Sequence, residues 1–405
     1  MSFQTGLSGL NAAAQNLDVI GNNIANANTV GNKSSRAEFT AVVASSIGAS
    51  GGGGAASGIG VAIGATSQQF SQGTINITGN NLDCAINGGG FFELTLKDGS
   101  SAYTRDGQFK LDATGDLITN SGANVMGFPT NSAGVPTSTT ISPLVIPTGA
   151  PIAAKVTSTV TATFNLDARA PIAASVVPPT PYTTYGTTMN AFDSQGVAVP
   201  LKLYFIKTAA DTWDVTDGDP AVAGTQVLTS LAFDTAGNVT GNPIAIPMSL
   251  TSTNPNIGAF NVTVDFSKAT QYGTSFAVTD LSQDGYTAGT LTGLSISEQG
   301  LITTRYSNGQ SQASGQLALA DFRNVQGLKP VSNGNWVSTN SSGQPVQGSP
   351  GQGNFGAINS GALEASNVDL TAELVAMMTA QRDYQSNAQT IKTQDQVLQT
   401  LVNLR

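Results

Sequence analysis

The chain has 405 residues, of which 40% are hydrophobic and only 10% are charged, and its formal net charge is −9. This length predicts about two to four domains. The 16 Lys and Arg residues are spread along an acidic chain, which argues against partners that need clustered positive charge, namely nucleic acid and anionic membranes. Histidine is absent and there is one cysteine, so we expect no catalytic residues, no metal site, no cofactor and no intramolecular disulfide.

Residues 1–28 predict an amphipathic helix, which Ser2 can cap and which ends among several asparagines. Its apolar positions are spaced alternately four and three residues apart, as in a helix that packs against a partner helix. A flexible loop or linker is predicted at Gly51–Gly54. We expect residues 29–70, together with 356–365, to connect the helical ends to the rest of the chain.

From about residue 70 to residue 355 the sequence reads as short strands separated by turns. The character changes at residue 148, where a Thr-rich and then Pro-rich stretch begins, and the earlier character returns at residue 285. We therefore predict an inner β domain from 71–147 with 285–355, and an outer β domain from 148–284 inserted into it. The predicted fold is multidomain, with two mainly-β domains and paired, coiled-coil-like terminal helices.

A second and longer helix is predicted in the C-terminal segment 366–405, because residues 369–404 contain neither Gly nor Pro. The same heptad spacing continues there, interrupted by Gln381 and Asp395. Polar residues at such positions cost stability but fix register and partner choice, which favours packing among identical copies. An ordinary helical hairpin within one chain is the alternative. The predicted self-assembly stripe consists of Phe3, Leu7, Leu10, Ala14, Leu17, Ile24, Leu370, Leu374, Met377, Gln381, Tyr384, Ala388, Ile391, Leu398 and Val402.

The remaining candidate residues are mostly predicted to be part of the hydrophobic cores. Cys84 alternates with Leu82 and Ile86, which predicts a small buried hydrophobic residue and leaves a reactive or cross-linking thiol as the alternative. Trp213 and Trp336 are expected in cores, and no motif indicates an enzyme. We expect no membrane insertion, because the chain has no run of 18 apolar residues. The N-terminus has no features of a Sec signal, so if the protein is extracellular we expect export without a cleaved N-terminal signal.

Five segments together resemble the bacterial flagellar axial proteins of rod and hook. The first, Gly9–Lys33, is similar to the N-terminal signature of that family. The others are Leu82–Phe92, Tyr103–Phe109, Gly361–Asp369 and Gln381–Gln389. Rod-type members lack a large central insertion, whereas hook-type members carry one, as residues 148–284 suggest.

The resemblance implies an extracellular subunit that forms a helical homopolymer, the curved hollow hook that joins motor rod to filament as a flexible, torque-transmitting joint. It further implies contacts with the flagellar rod proteins, the hook cap protein and the hook–filament junction protein, and passage through the flagellar type III export apparatus. A distal rod-type axial protein is the alternative within the family. Outside it, a secreted β-rich adhesin or carbohydrate-binding protein remains open.

Overall fold

A computed structural model of the chain describes residues 3–43, 58–149, 151–176, 179–180, 184–222, 225–240 and 245–403. Ser2 and the Gly51–Gly54 loop therefore lie outside the described residues. The chain divides into two compact units. Unit 1 comprises Met1–Gly149, Gly293–Arg305 and Ser311–Arg405, and unit 2 comprises Ala150–Thr292 and Tyr306–Gln310.

The two terminal helices are confirmed. Helix α1 spans Phe3–Ala25, and helix α2 spans Leu370–Asn403. Asp369 caps α2, because its Oδ1 accepts hydrogen bonds from the backbone N–H groups of Thr371 at 2.9 Å and Ala372 at 3.1 Å. With 34 residues, α2 is about 51 Å long at the standard helical rise.

Between residues 35 and 143 all the strands belong to unit 1. They are β1 (Ser35–Val43), β2 (Gly58–Gln68), β3 (Ile75–Ile77), β4 (Cys84–Asn87), β5 (Phe91–Thr95), β6 (Ser101–Thr104), β7 (Phe109–Leu111), β8 (Leu117–Thr119), β9 (Asn124–Phe128) and β10 (Ser142–Pro143). Strands β1 and β2 form a separate antiparallel hairpin in the segment that was predicted to connect helix and body.

Unit 2 contains the next group of strands. They are β11 (Thr159–Asp167), β12 (Ser175–Val176), β13 (Pro179–Thr180), β14 (Thr184–Phe192), β15 (Ala198–Ala209), β16 (Thr212–Thr216), β17 (Val227–Phe233), β18 (Val239–Thr240), β19 (Ala245–Leu250), β20 (Phe260–Asp265), β21 (Thr270–Tyr272) and β22 (Ala277–Gln283). One five-stranded sheet runs β14-β15-β16-β17-β18, and a second contains β19-β20-β11-β21 with β22 on β11. Alternate residues of β11 and β15 meet in one core, where the Phe164 and Phe205 rings are 4.5 Å apart.

The chain then completes unit 1. The strands are β23 (Leu291–Ile296), β24 (Leu301–Tyr306), β25 (Ser311–Leu317), β26 (Leu319–Asp321), β27 (Lys329–Val331), β28 (Asn335–Val337), β29 (Val346–Gly348), β30 (Ala357–Ser360) and β31 (Ala362–Glu364), with short 3-10 helices at Val325–Gly327 and Ser332–Gly334. Its largest sheet runs β23-β24-β25-β9-β5-β6-β28-β27, so strands from both halves of the sequence share it.

Residues 356–365, which the sequence predicted as connecting chain, are strands of unit 1. Strand β30 pairs with β4, and β31 pairs with β3, both antiparallel. The last strand of the chain therefore ends at Glu364, six positions before α2 begins at Leu370. Only a short segment therefore separates the last strand of unit 1 from the C-terminal helix.

Candidate self-assembly site

Helices α1 and α2 pack against each other as antiparallel neighbours within one chain. A Cβ added at Gly6 would lie 3.2 Å from Cγ1 of Ile391, and one added at Gly9 would lie 2.9 Å from Oδ1 of Asn387. Near the other end of the pair, Asn23 bonds to Glu373. The two helices approach closely because α1 presents glycine there instead of a larger side chain.

The predicted stripe is only partly covered by this contact. Seven of its members are partly buried: Leu10, Ala14, Leu17, Ile24, Met377, Ala388 and Ile391. Six large side chains remain 37–49% exposed, namely Phe3, Leu7, Leu370, Leu374, Tyr384 and Leu398. Gln381 is exposed as well, and the side chain of Val402 lies outside the description.

In α1 the two glycines that approach α2, Gly6 and Gly9, each precede a member of the predicted stripe by one residue. Gly6 and Ala13 are buried, whereas the stripe members that follow them, Leu7 and Ala14, are exposed and partly buried, respectively. The hydrophobic pattern thus identified the heptad spacing but not the face used within the chain. The apolar stripe predicted from it borders the intramolecular contact and leaves large side chains available to another molecule.

Helix α2 extends beyond α1 at its C-terminal end. Ile391 lies opposite Gly6, which is close to the first described residue, so the last turns of α2 have no described part of α1 beside them. Val397 and Leu398 are half exposed in those turns. At the start of α2, Leu374, Val375 and Met378 form a second exposed apolar group.

The β1–β2 hairpin also packs against α1. Ser8 accepts a hydrogen bond of 3.3 Å from the backbone N–H of Val61. A cavity of about 600 Å³ separates the hairpin from the two helices, and its lining includes Thr5, Gly9, Asn16, Phe39, Val61 and Asp383.

Hydrogen bonds from Asn23 hold together the end of α1, the hairpin and the start of α2. Its Nδ2 donates to the backbone oxygen of Ser35 at 2.8 Å and to Oε1 of Glu373 at 2.9 Å. Its Oδ1 accepts from the backbone N–H of Ser35 at 2.8 Å. The side chain is buried, so each of these bonds replaces one that water would otherwise supply.

A buried ionic cluster joins the segment that follows α1 to the segment that precedes α2. Oε1 of Glu364 is 2.6 Å from Nζ of Lys33, and Oε2 is 3.1 Å from Nη1 of Arg105. The backbone N–H of Gly73 also donates to Oε1, at 2.9 Å. Burial lowers the pKa of Lys33, and the hydrogen bond and negative charge of Glu364 partly offset this lowering.

Asn367 completes this region, which we call the junction: Asn23, Gly31, Lys33, Arg105, Glu364, Asn367 and Glu373. Asn367 accepts a hydrogen bond of 2.7 Å from the backbone of Ser34 and donates one of 2.7 Å to the oxygen of Gln69. Gly31 has φ +68, and a Cβ there would lie 2.6 Å from the backbone carbon of Arg105. Only glycine fits both the left-handed conformation and this close approach.

The sequence did not predict the contacts among the junction residues. All of them except Glu373 stand inside the segments that carry the family resemblance, Gly9–Lys33, Tyr103–Phe109 and Gly361–Asp369. Because the chain has few charges, the presence of a Lys, an Arg and a Glu in these segments was a signal that they have a role. Their pairing could not be read from the sequence, because Lys33 and Glu364 are 331 positions apart.

The other singled-out residues lie in cores. Cys84 is fully buried, which confirms the structural reading, and burial raises the pKa of its thiol to about 12. Trp213 belongs to the core of unit 2, and Trp336 packs on Phe91 and Phe70 in unit 1. Within the described ranges, no group of His, Cys, Asp and Glu side chains could hold a metal ion, and no helix is long and apolar enough to cross a membrane.

Four family models match the chain, in an order that follows the sequence. Flagella basal body rod protein matches residues 3–33, and the flagellar hook protein FlgE/F/G D1 domain matches residues 85–162. The flagellar basal body protein FlaE D2 domain matches residues 165–286, and the flagellar basal body rod FlgEFG protein C-terminal model matches residues 359–404.

Three relatives that match over their full length are flagellar hook proteins. The flagellar hook proteins FlgE of Salmonella typhimurium strain LT2 and Escherichia coli K12 are 41% and 40% identical to this chain, with all of both chains covered. That of Borreliella burgdorferi is 32% identical, covering 100% of this chain and 99% of the relative. The crystal structure of Helicobacter pylori flagellar hook protein FlgE2 shares the fold at 15% identity and a TM-score of 0.55, covering 72% of this chain and all of that one. With identities of 40% and 41% sustained from end to end, the chain belongs to the flagellar hook protein family.

Proposed function

We propose that this chain is the structural subunit that self-assembles into the curved hollow hook of the bacterial flagellum, outside the cell, where it serves as the flexible joint between motor rod and filament. Full-length similarity to flagellar hook proteins supports this role. We expect no enzymatic activity, since the proposed role is mechanical.

The exposed apolar side chains of the terminal helices are the observation that carries self-assembly. Leu7, Leu370, Leu374 and Leu398 are each about half exposed although they repeat with heptad spacing. Fully burying a leucine side chain is worth about 1.5–3 kcal/mol, so covering the remaining half of each contributes roughly 1 kcal/mol. Repeated in every subunit, this gain favours contact between the helices of neighbouring copies.

The proposed assembly assigns a place to each part of the chain. Helices in residues 1–28 and 366–405 form the inner tube around a central channel, and residues 29–70 with 356–365 lead outward. The inner β domain, 71–147 with 285–355, and the outer β domain, 148–284, form the shell. The proposed partners are other copies, the rod proteins, the hook cap protein, the hook–filament junction protein and the flagellar type III export apparatus.

Charge substitutions in the exposed stripe test this assignment. Leu374→Asp and Leu398→Asp place a carboxylate where a neighbouring copy would bury it without a partner, so neither variant should elongate sheared hook seeds. Gln389→Asp, an exposed position on another face of α2, is the matched control and should elongate seeds normally. Unfolding of the β domains should be unchanged in all three. Elongation by both leucine variants at the wild-type rate would refute the role of the stripe.

A further inference from the structure

The ionic cluster of the junction contains two cations and one carboxylate. Lys33, Arg105 and Glu364 have side chains that are at most 6% exposed, so water screens their charges weakly. Arg105 also donates to the backbone oxygen of Gly88 at 2.8 Å and lies 5.3 Å from the centre of the Phe91 ring. Asp321 adds a weaker attraction to Arg105. Glu364 is therefore the group that compensates both buried cations.

Each partner of Glu364 belongs to a different segment of unit 1. Lys33 lies in the segment that leaves α1, and Arg105 directly follows β6. Gly73 lies just before β3, and Glu364 itself ends β31 shortly before α2. One side chain thus joins the segment after the first helix, the segment before the second helix and the strands between them.

Further contacts leave these segments little freedom to move separately. The backbone N–H of Gly31 donates to the backbone oxygen of Glu364 at 2.8 Å, and Nζ of Lys33 donates to the oxygen of Ser71 at 2.8 Å. A Cβ at Gly73 would lie only 2.0 Å from the oxygen of Ala365. The segments that follow α1 and precede α2 therefore meet at Glu364 through close backbone contacts, without intervening side chains.

We propose that Glu364 is a positioning residue for assembly: by compensating Lys33 and Arg105 it fixes both terminal helices to the strands of unit 1, so that helices and strands turn as one body. The coupling is a property of the single subunit. Its use in transmitting torque from the helical tube to the outer domains rests on the proposed function.

Amide hydrogen exchange of the full-length monomer tests the coupling. Glu364→Gln leaves both cations without their carboxylate, so exchange should accelerate by at least about tenfold at residues 31–35, 69–74 and 364–373. Exchange in the core strands β5 and β9 should stay within about twofold of wild type. Unchanged exchange at the junction would overturn the proposal. So would acceleration that is uniform over unit 1, because that result describes a merely stabilising residue.

Two more variants keep the test decisive if Glu364→Gln folds poorly. Lys33→Met leaves Glu364 and Arg105 as a one-to-one pair. Exchange should accelerate at residues 31–35 and 69–73, while residues 364–367 stay protected. Unchanged protection at residues 31–35 would overturn the proposal.

Glu93→Gln is the matched control, since Glu93 is a buried carboxylate that accepts hydrogen bonds from Gln347 at 3.0 and 3.1 Å. It should leave the junction unchanged, and loosening of the junction by this variant would contradict a specific role of Glu364.

The torsional compliance of assembled hooks tests whether the coupling within the subunit is also used to transmit torque. Hooks of Lys33→Met, twisted through an attached magnetic bead, should show a torsional compliance at least about twofold above wild type. Looser exchange in the monomer with wild-type compliance would retain the coupling and refute its part in transmitting torque. Failure of wild-type protein to form hooks would refute the proposed function and leave the exchange result standing.

Discussion

Asn23 of α1 and Glu373 of α2 are joined by a hydrogen bond of 2.9 Å, although 350 positions separate them in the sequence. The same asparagine bonds twice to the backbone of Ser35 at the base of the β1–β2 hairpin. The two ends of the chain and the hairpin are thereby connected at one buried side chain.

Replacing Asn23 should loosen this connection. Asn23→Ala removes three hydrogen bonds, one of them to a carboxylate, and leaves the N–H of Ser35 without its acceptor. We expect a loss of about 3 kcal/mol in the free energy of opening the helix–hairpin contact, measured by hydrogen exchange at Ser35 and in the last turn of α1. Asn11→Ala, at an exposed position of the same helix, should cause no loss. Equal protection in the two variants would show that Asn23 contributes nothing there.

The thiol of Cys84 should be chemically silent in the folded chain. It is fully buried, and with a pKa of about 12 almost none of it is thiolate near pH 8. A thiol-specific chromogenic reagent should therefore leave native protein unmodified while it labels urea-denatured protein completely. Rapid labelling of native protein would revive the alternative of a reactive or cross-linking cysteine.

Unit 2 should lose stability in acid through Asp193. Burial raises the pKa of this carboxyl, but hydrogen bonds from Ser252 and from the backbone of Val197 and Gln195 outweigh it and lower the pKa overall. A lowered folded-state pKa stabilises the fold above the unfolded value of about 3.9, and this contribution disappears as the pH falls through the folded-state value.

The check is urea unfolding at several pH values, followed by Trp213 fluorescence in a Trp336→Phe background. The stability difference between the parent and Asp193→Asn should be largest near neutrality and should shrink below about pH 4. Ser252→Ala keeps the carboxyl and removes one donor, so it should retain a weaker pH dependence. A difference between parent and Asp193→Asn that stays constant down to about pH 2 would contradict this account.

Local patterns in the sequence predicted the elements well. Heptad spacing predicted both terminal helices, and the absence of Gly and Pro supported the second, because a helix depends on residues only a few positions apart. The Thr-rich stretch after residue 148 was predicted as part of the β region, and there strand β11 buries its alternate residues Val160, Ala162, Phe164 and Leu166.

The face of α1 used within the chain could not be predicted from hydrophobicity. Gly6 and Gly9 lie at the contact because they are small, whereas a hydrophobic pattern favours Phe3 and Leu7, which are exposed. The contacts of the junction could not be predicted either, because its members meet only when the whole of unit 1 folds. A charged pair such as Lys33 and Glu364 has no local periodicity that could reveal it.

Seeded growth of the purified full-length protein, observed by electron microscopy, tests the central claim most directly. Concentrated wild-type protein with short sheared hook fragments should elongate them into curved hollow tubes, because the exposed stripe of α1 and α2 becomes covered by neighbouring copies. Straight tubes would instead indicate a rod-type subunit. A protein that forms no tubes at all, with both terminal helices already resistant to protease in the monomer, would contradict self-assembly through these helices.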